Sequence, residues 1–252
     1  MEYRIRKISL GHTELPVYEY GITDSTNTRA RELAKVHNTD AAVIAVGQTC
    51  GRGRLGRSFA SDTGRGLYMS LLIHPKSTAD ALKLTALMGV AVCRAIEALT
   101  NLTPKIKWVN DIQLGEKKLA GILAEGEFDA DGGLKYAIIG VGLNILSRDF
   151  GELSEIATSL EEHTAPPTAD ALFEKITDEF YRIYNKGTHQ NELEYYKSHS
   201  SVLGRNITVI RAGESYIARA TDVGCDFSLT VDRDGKKECI SSAEVSIRRT
   251  SD

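Results

Sequence analysis

The stretch from Thr78 to Leu99 carries apolar residues at Leu82, Leu84, Leu87, Met88, Ala91, Val92, Ala95, Ile96 and Leu99, close to a helical period with little polar interruption. A helix so apolar must be covered over most of its circumference, so the fold has to supply a broad apolar surface. The residues around it read as that surface. Ile106–Val109, Ile112–Leu114, Leu119–Gly126 and Tyr136–Ile145 are β-like runs, broken by turns at Gly115-Glu-Lys and Asp129-Ala-Asp-Gly-Gly133, which predicts a sheet of hairpins. Upstream, Ala41–Val46 and Leu67–His74, the latter stopped by Pro75, read as buried strands. Thr28–Val36 reads as a helix whose first turn Ser25-Thr26-Asn27 is suited to cap.

Serines, charges and Pro166-Pro167 fill roughly 147–168, after which Ala169–Tyr184 and Glu192–His199 are amphipathic and helical. From Gly204 onward, Ile207–Ile210, Tyr216–Ala220, Phe227–Val231 and Val245–Arg248 are short strands at regular intervals, as in a small barrel. The 252 residues suffice for one substantial domain and a small one, expected over 1–200 and 201–252.

Between the two upstream strands lies Gly47-Gln-Thr-Cys-Gly-Arg-Gly-Arg-Leu-Gly-Arg57. Three guanidinium groups on a glycine-rich loop repel one another unless an anion joins them, and each offers a rigid fork that matches carboxylate or phosphate. The formal net charge of the chain is −3, so this basic loop is a local device rather than part of a field that draws the protein onto nucleic acid. By itself the loop also fits single-stranded RNA, although only Phe59 lies near enough to serve as a stacking platform.

Other chemistries find little support. Cys50, Cys93, Cys225 and Cys239 lack any C-x-x-C spacing and the six histidines are isolated, so neither a disulfide framework nor a tightly bound protein metal is expected. No nucleophile elbow stands out. The N-terminus lacks the apolar core of a signal peptide and no run of about 18 apolar residues occurs, which places the protein in the cytoplasm and off the membrane.

Taken in order, Ser25-Thr26-Asn27, the 47–57 loop, Lys107-Trp-Val-Asn-Asp111, Lys118-Leu-Ala-Gly-Ile-Leu-Ala-Glu125 and Gly140-Val-Gly-Leu-Asn144 resemble the biotin–protein ligases. The resemblance covers most of the first 150 residues, with a weaker match in the last 50. It implies an α+β fold: a mixed, mostly antiparallel sheet with flanking helices, class II synthetase-like, followed by a small SH3-like barrel. It also implies formation of biotinyl-5′-AMP from biotin and ATP with Mg²⁺, then transfer of biotin to a lysine of a biotin carboxyl carrier domain.

By the same resemblance, Ser25, Thr26 and Asn27 meet the ureido edge of biotin, while Gln48, Arg52, Gly53, Arg54 and Lys118 also contact biotin. Arg52, Arg54 and Lys118 are the catalytic cations; Arg54, Arg57, Phe59, Asn110, Asp111 and Asn144 face the nucleotide. Val109 stands where the family usually has Pro, and Ala243 departs from a usual Gly-Glu. Ser25 lies too near the start to leave room for the DNA-binding domain of some relatives, so no DNA partner is expected. Lipoate or octanoate ligation is the nearest rival activity, and a non-catalytic biotin sensor the nearest binding role. No self-complementary stripe distinguishes monomer from dimer.

Overall fold

In a computed structural model, residues 2–11, 13–75, 81–128, 133–211, 213–241 and 244–247 are described. The larger sheet contains β1 (Arg4–Leu10), β2 (Thr13–Thr23), β3 (Ala41–Gln48), β4 (Gly66–Ile73), β5 (Lys105–Lys107), β6 (Asp111–Leu114), β7 (Lys117–Phe128) and β8 (Leu134–Asn144). Their spatial order is β1-β2-β3-β4-β8-β7-β6-β5. Only β2 and β3 run parallel, because helix α1 (Thr26–Val36) carries the chain across one face of the sheet between them. The remaining neighbours are antiparallel, and β5 through β8 form the predicted hairpins.

On the other face lie α2 (Ala81–Leu99), α3 (Ala169–Tyr184) and α4 (Gln190–His199). Leu84, Leu87, Met88, Ala91, Val92, Ala95 and Ile96 of α2 are all buried, in one core with Met69, Ile122, Val141, Phe173 and Phe180. Residues 78–80 and the side chain of Leu82 lie outside the described residues, and Leu99 is exposed at the end of the helix. α1 encloses a second core, in which Ala30, Leu33 and Ala34 meet Tyr18, Val43, Leu72 and Ile138. Covered from both sides, β4 is buried along its whole length, which is why it reads as a continuous apolar run rather than an alternating one.

The second sheet is antiparallel, in the order β12-β11-β10-β9-β13. It comprises β9 (Asn206–Arg211), β10 (Glu214–Val223), β11 (Leu229–Arg233), β12 (Lys236–Ile240) and β13 (Glu244–Ile247). Residues 242, 243 and 248 of the expected last strand, and 129–132 of an expected turn, lie outside the described residues. β1, β2 and β12 were not anticipated as strands: β2 buries Leu15, Val17, Tyr18 and Tyr20, while β1 and β12 are sheet edges with polar side chains, burying only Ile8 and Ile240 respectively.

Phe227, expected inside a strand, instead precedes β11 with a left-handed backbone (φ 63°). Its ring packs edge-on against Tyr196 with centroids 5.5 Å apart, and its carbonyl accepts the Trp108 indole N–H at 2.9 Å. Through these contacts the second sheet joins the same continuous core as the first. Among the described residues, no helix is long and apolar enough to cross a membrane.

Candidate functional site

Strands β7 and β8 cross the middle of the larger sheet with Gly121, Gly140 and Gly142. A Cβ on Gly140 would sit 2.2 Å from Asn27 Oδ1, and one on Gly142 would sit 2.5 Å from the Phe59 ring. Only glycine lets those two side chains lie so close to the strand. Over this floor opens a cleft of about 490 Å³, lined by all thirteen residues named as site candidates from the sequence.

At one end, the start of α1 presents Ser25, Thr26 and Asn27, all buried. Ser25 occupies the N-cap position but makes no side-chain cap, so the trio is not consumed in capping. Its backbone N–H instead donates to Asp24 at 2.6 Å. Burial works to raise the Asp24 carboxyl, but that bond, Arg29 and Thr23 outweigh it and hold the group below the ordinary aspartate value. The Thr26 N–H donates to Gln48 Oε1 at 2.8 Å, and Asn27 Nδ2 donates to Glu125 Oε2 at 2.8 Å.

The basic loop forms a distorted hairpin over the floor. Gln48 pairs with Ser61, Gly51 with Phe59, Arg52 with Ser58 and Gly53 with Arg57. A short 3₁₀ turn at Arg54–Gly56 closes its tip, with Leu55 and Gly56 at positive φ and Leu55 77% exposed. Arg52 reaches back to Glu125 (3.0 Å), and Arg54 donates to Asn110 Oδ1 (3.1 Å).

Successive residues of β7 point to opposite sides, so Lys118 lines the cleft while Lys117 turns away and donates to the Ser154 carbonyl. Lys118 Nζ lies 2.7 Å from Asp111 Oδ1; that oxygen receives no well-aligned hydrogen bond, so the contact is ionic. Asn110 and Asp111 follow a cis Trp108–Val109 peptide. Asn144, at the end of β8, donates to the Thr158 carbonyl and faces Arg148, which also bonds the Ala60 carbonyl and pairs with Asp62.

Sequence reasoning gave no role to four residues here. Glu125 closes the quoted Lys118–Glu125 run, and its signal was a carboxylate directly after the apolar stretch Leu119–Ala124. Ser70 interrupts an apolar central strand, a legible sign of a buried polar contact. Arg148 sits in the serine- and charge-rich stretch read as a connection. Val245 reaches the cleft from the second sheet. Among the described residues, no group of three or more His, Cys, Asp or Glu is placed to hold a metal.

Residues 20–144, a span that contains every candidate named above, match the profile of the Biotin/lipoate A/B protein ligase family. This is a biotin/lipoate protein ligase domain. Over 146 residues the chain is 40% identical to the Bifunctional ligase/repressor BirA of Bacillus spizizenii, covering 56% of this chain and 45% of that relative. Thus the chain spans less than half the length of that bifunctional protein. Over 236 residues it is 28% identical to a Biotin--[acetyl-CoA-carboxylase] ligase of Mycobacterium tuberculosis, covering 88% and 85% of the two chains. Among solved structures, the biotin protein ligase from Aquifex aeolicus in complex with biotin and ATP superposes with a TM-score of 0.78 at 26% identity, covering 93% of this chain and 99% of that one. The α+β fold expected for the ligase domain is therefore the one observed.

Proposed function

We propose that the protein is a biotin–protein ligase, which activates biotin with ATP and passes it to a lysine of a carboxylase's biotin carboxyl carrier domain. The observation that carries this reading is the charge of one cleft. Among the described residues, Arg52, Arg54, Arg57, Lys107, Lys118 and Arg148 line it against Asp111 and Glu116, with Glu125 paired to Arg52, in a chain of net charge −3. Such a surplus suits the approach of two anions. As the biotin carboxylate attacks the α-phosphorus and pyrophosphate leaves, cations must screen the repulsion and stabilise the phosphoryl transition state.

Lys118, Arg52 and Arg54 take that role here, Lys118 as a compact charge between carboxylate and phosphate oxygens. Arg57, Phe59, Asn110 and Asn144 hold the nucleotide, with the Phe59 ring offered to adenine. Mg²⁺ would arrive on the triphosphate; Asp111, whose buried Oδ1 is shared ionically with Lys118, and Asn110 would fit a metal that takes most of its ligands from phosphates. When bound it neutralises phosphate charge. In the second half-reaction the carrier lysine, as a neutral amine, attacks the acyl carbon and AMP leaves; the same cations favour the neutral amine.

Biotin rather than lipoate is the acid, because the other end of the cleft is polar. Thr26, Asn27, Gln48 and Ser25 can match the donors and acceptors of a ureido ring, which a dithiolane does not offer. We assign catalysis to residues 1–200, with the 201–252 unit closing the cleft through Val245, and action in the cytoplasm. The test is to incubate purified protein with biotin, ATP, Mg²⁺ and a carrier domain and read intact mass. One added biotinyl group per carrier supports the reading; an adenylate formed with lipoate but not with biotin overturns it.

A further inference from the structure

Beneath the cleft, a run of hydrogen bonds through Ser61, Gln48, Thr26, Ser70, Asn27 and Glu125 joins the base of the basic loop to Arg52 within it. Ser61 accepts from Gln48 Nε2 at 2.8 Å, and Gln48 Oε1 accepts the Thr26 N–H at 2.8 Å. Ser70 Oγ is 2.8 Å from Thr26 Oγ1 and 2.6 Å from Asn27 Oδ1. Asn27 Nδ2 then donates to Glu125 Oε2 at 2.8 Å, and Glu125 Oε1 meets both Arg52 and Arg31 at 3.0 Å. Thr26, Asn27, Ser61 and Ser70 are buried, so a mismatch anywhere along the chain leaves a desolvated group without a partner.

Hydroxyls and amides can be read in either sense; an ionised carboxylate can only accept. Glu125 therefore obliges Asn27 to turn its NH₂ toward the carboxylate, which leaves Oδ1 facing Ser70 and obliges the Ser70 hydroxyl to donate to it and to accept from Thr26. We infer that Glu125 is a positioning residue that fixes the donor–acceptor sense of the Thr26–Asn27 subsite and tethers the basic loop through Arg52. This deepens the ligase reading: it requires a head group whose donors and acceptors are presented in one fixed order, as in a cyclic urea. The carboxylate of the ligand would take over Arg52 from Glu125 on binding.

Glu125→Gln keeps the shape, removes the charge and allows the amide order to reverse; Glu125→Asp keeps the charge on a shorter arm. In ligand-free protein, limited trypsin should cut after Arg52, Arg54 or Arg57 several-fold faster in Glu125→Gln than in wild type. Calorimetry should show biotin binding weakened about tenfold, the loss expected of one mispaired buried polar group, with the rate of pyrophosphate release at saturating biotin changed less than threefold. Glu125→Asp should recover loop protection and most of the affinity.

If Glu125→Gln matches wild type in both cleavage and affinity, or Glu125→Asp is as impaired as Glu125→Gln, the inference is overturned. Faster cleavage with unchanged affinity overturns the subsite half of it. Should wild type fail to bind biotin at all, the ligase reading falls, while the ligand-free cleavage comparison still decides the role of Glu125.

Discussion

The two ends of the cleft are built on opposite terms. At the start of α1, Thr26, Asn27 and the neighbouring Ser70 are buried, uncharged and linked side chain to side chain. In the basic loop, Arg52, Leu55 and Arg57 are exposed, and the segment is held chiefly by backbone pairing across a narrow hairpin. The contrast follows from what each end must recognise. A neutral polar head group is told apart only by hydrogen bonds, which demand fixed, desolvated partners. Charge is screened by a force that falls slowly with distance, so the cationic end tolerates slack and can close over a ligand.

The severest test removes the lysine paired with Asp111. Lys118→Ala should slow pyrophosphate release by about 100- to 1,000-fold, the scale for losing one preorganised charge at a transition state. Biotin affinity, measured by calorimetry, should change far less, because the head-group end is untouched. Unchanged turnover would move catalysis onto the arginines alone and break the division of labour.

Next in size is a paired comparison of stability. Ser70→Ala leaves the Asn27 carbonyl without its donor inside the protein and should cost about 1–3 kcal/mol in urea unfolding. Leu55→Ser at the loop tip, where the side chain is largely exposed, should fall within about 0.5 kcal/mol of wild type. Equal losses would mean that the loop is as firmly built as the floor.

These two ends were not equally legible in the sequence. The loop declares an anion site locally through the glycines and arginines at 51–57, although its neighbours were needed to choose a ligand over single-stranded RNA, and α3 matches its predicted span Ala169–Tyr184 residue for residue: Thr168 caps it and Pro166-Pro167 precedes it. The buried chain does not declare itself. Asn27 and Glu125 are 98 residues apart, and only the adjacency of α1 to β4, β8 and β7 brings them together. Ser25-Thr26-Asn27 read as a capping signal, yet Asp24 takes the first N–H and leaves the trio facing the cleft. Edge strands β1 and β12 escaped for a different reason: with one side chain buried in each, they lack the apolar alternation that marks a strand.

Salt should separate the ends more gently. Exposed cations lose reach once the Debye length shrinks to about 10 Å near 0.1 M salt and further above it. Titrations at increasing ionic strength should therefore weaken ATP binding several-fold while biotin binding stays nearly constant. A parallel decline of both affinities would show that the carboxylate, not the ureido edge, dominates biotin recognition.

The smallest expected effect concerns protons. They bear on Asp24 at the head-group end. Its carboxyl is held below the ordinary value despite the opposing effect of burial, by the Ser25 N–H, Arg29 and Thr23. A carboxylate whose folded value lies below its unfolded one adds stability above the unfolded value, and that contribution disappears as pH falls through the folded one. Asp24→Asn should thus lower the melting temperature slightly at pH 7, and the gap from wild type should close as pH drops below about 4. Differential scanning calorimetry at stepped pH checks this; a gap that persists unchanged into acid would mean that the Asp24 charge does not help seat the start of α1.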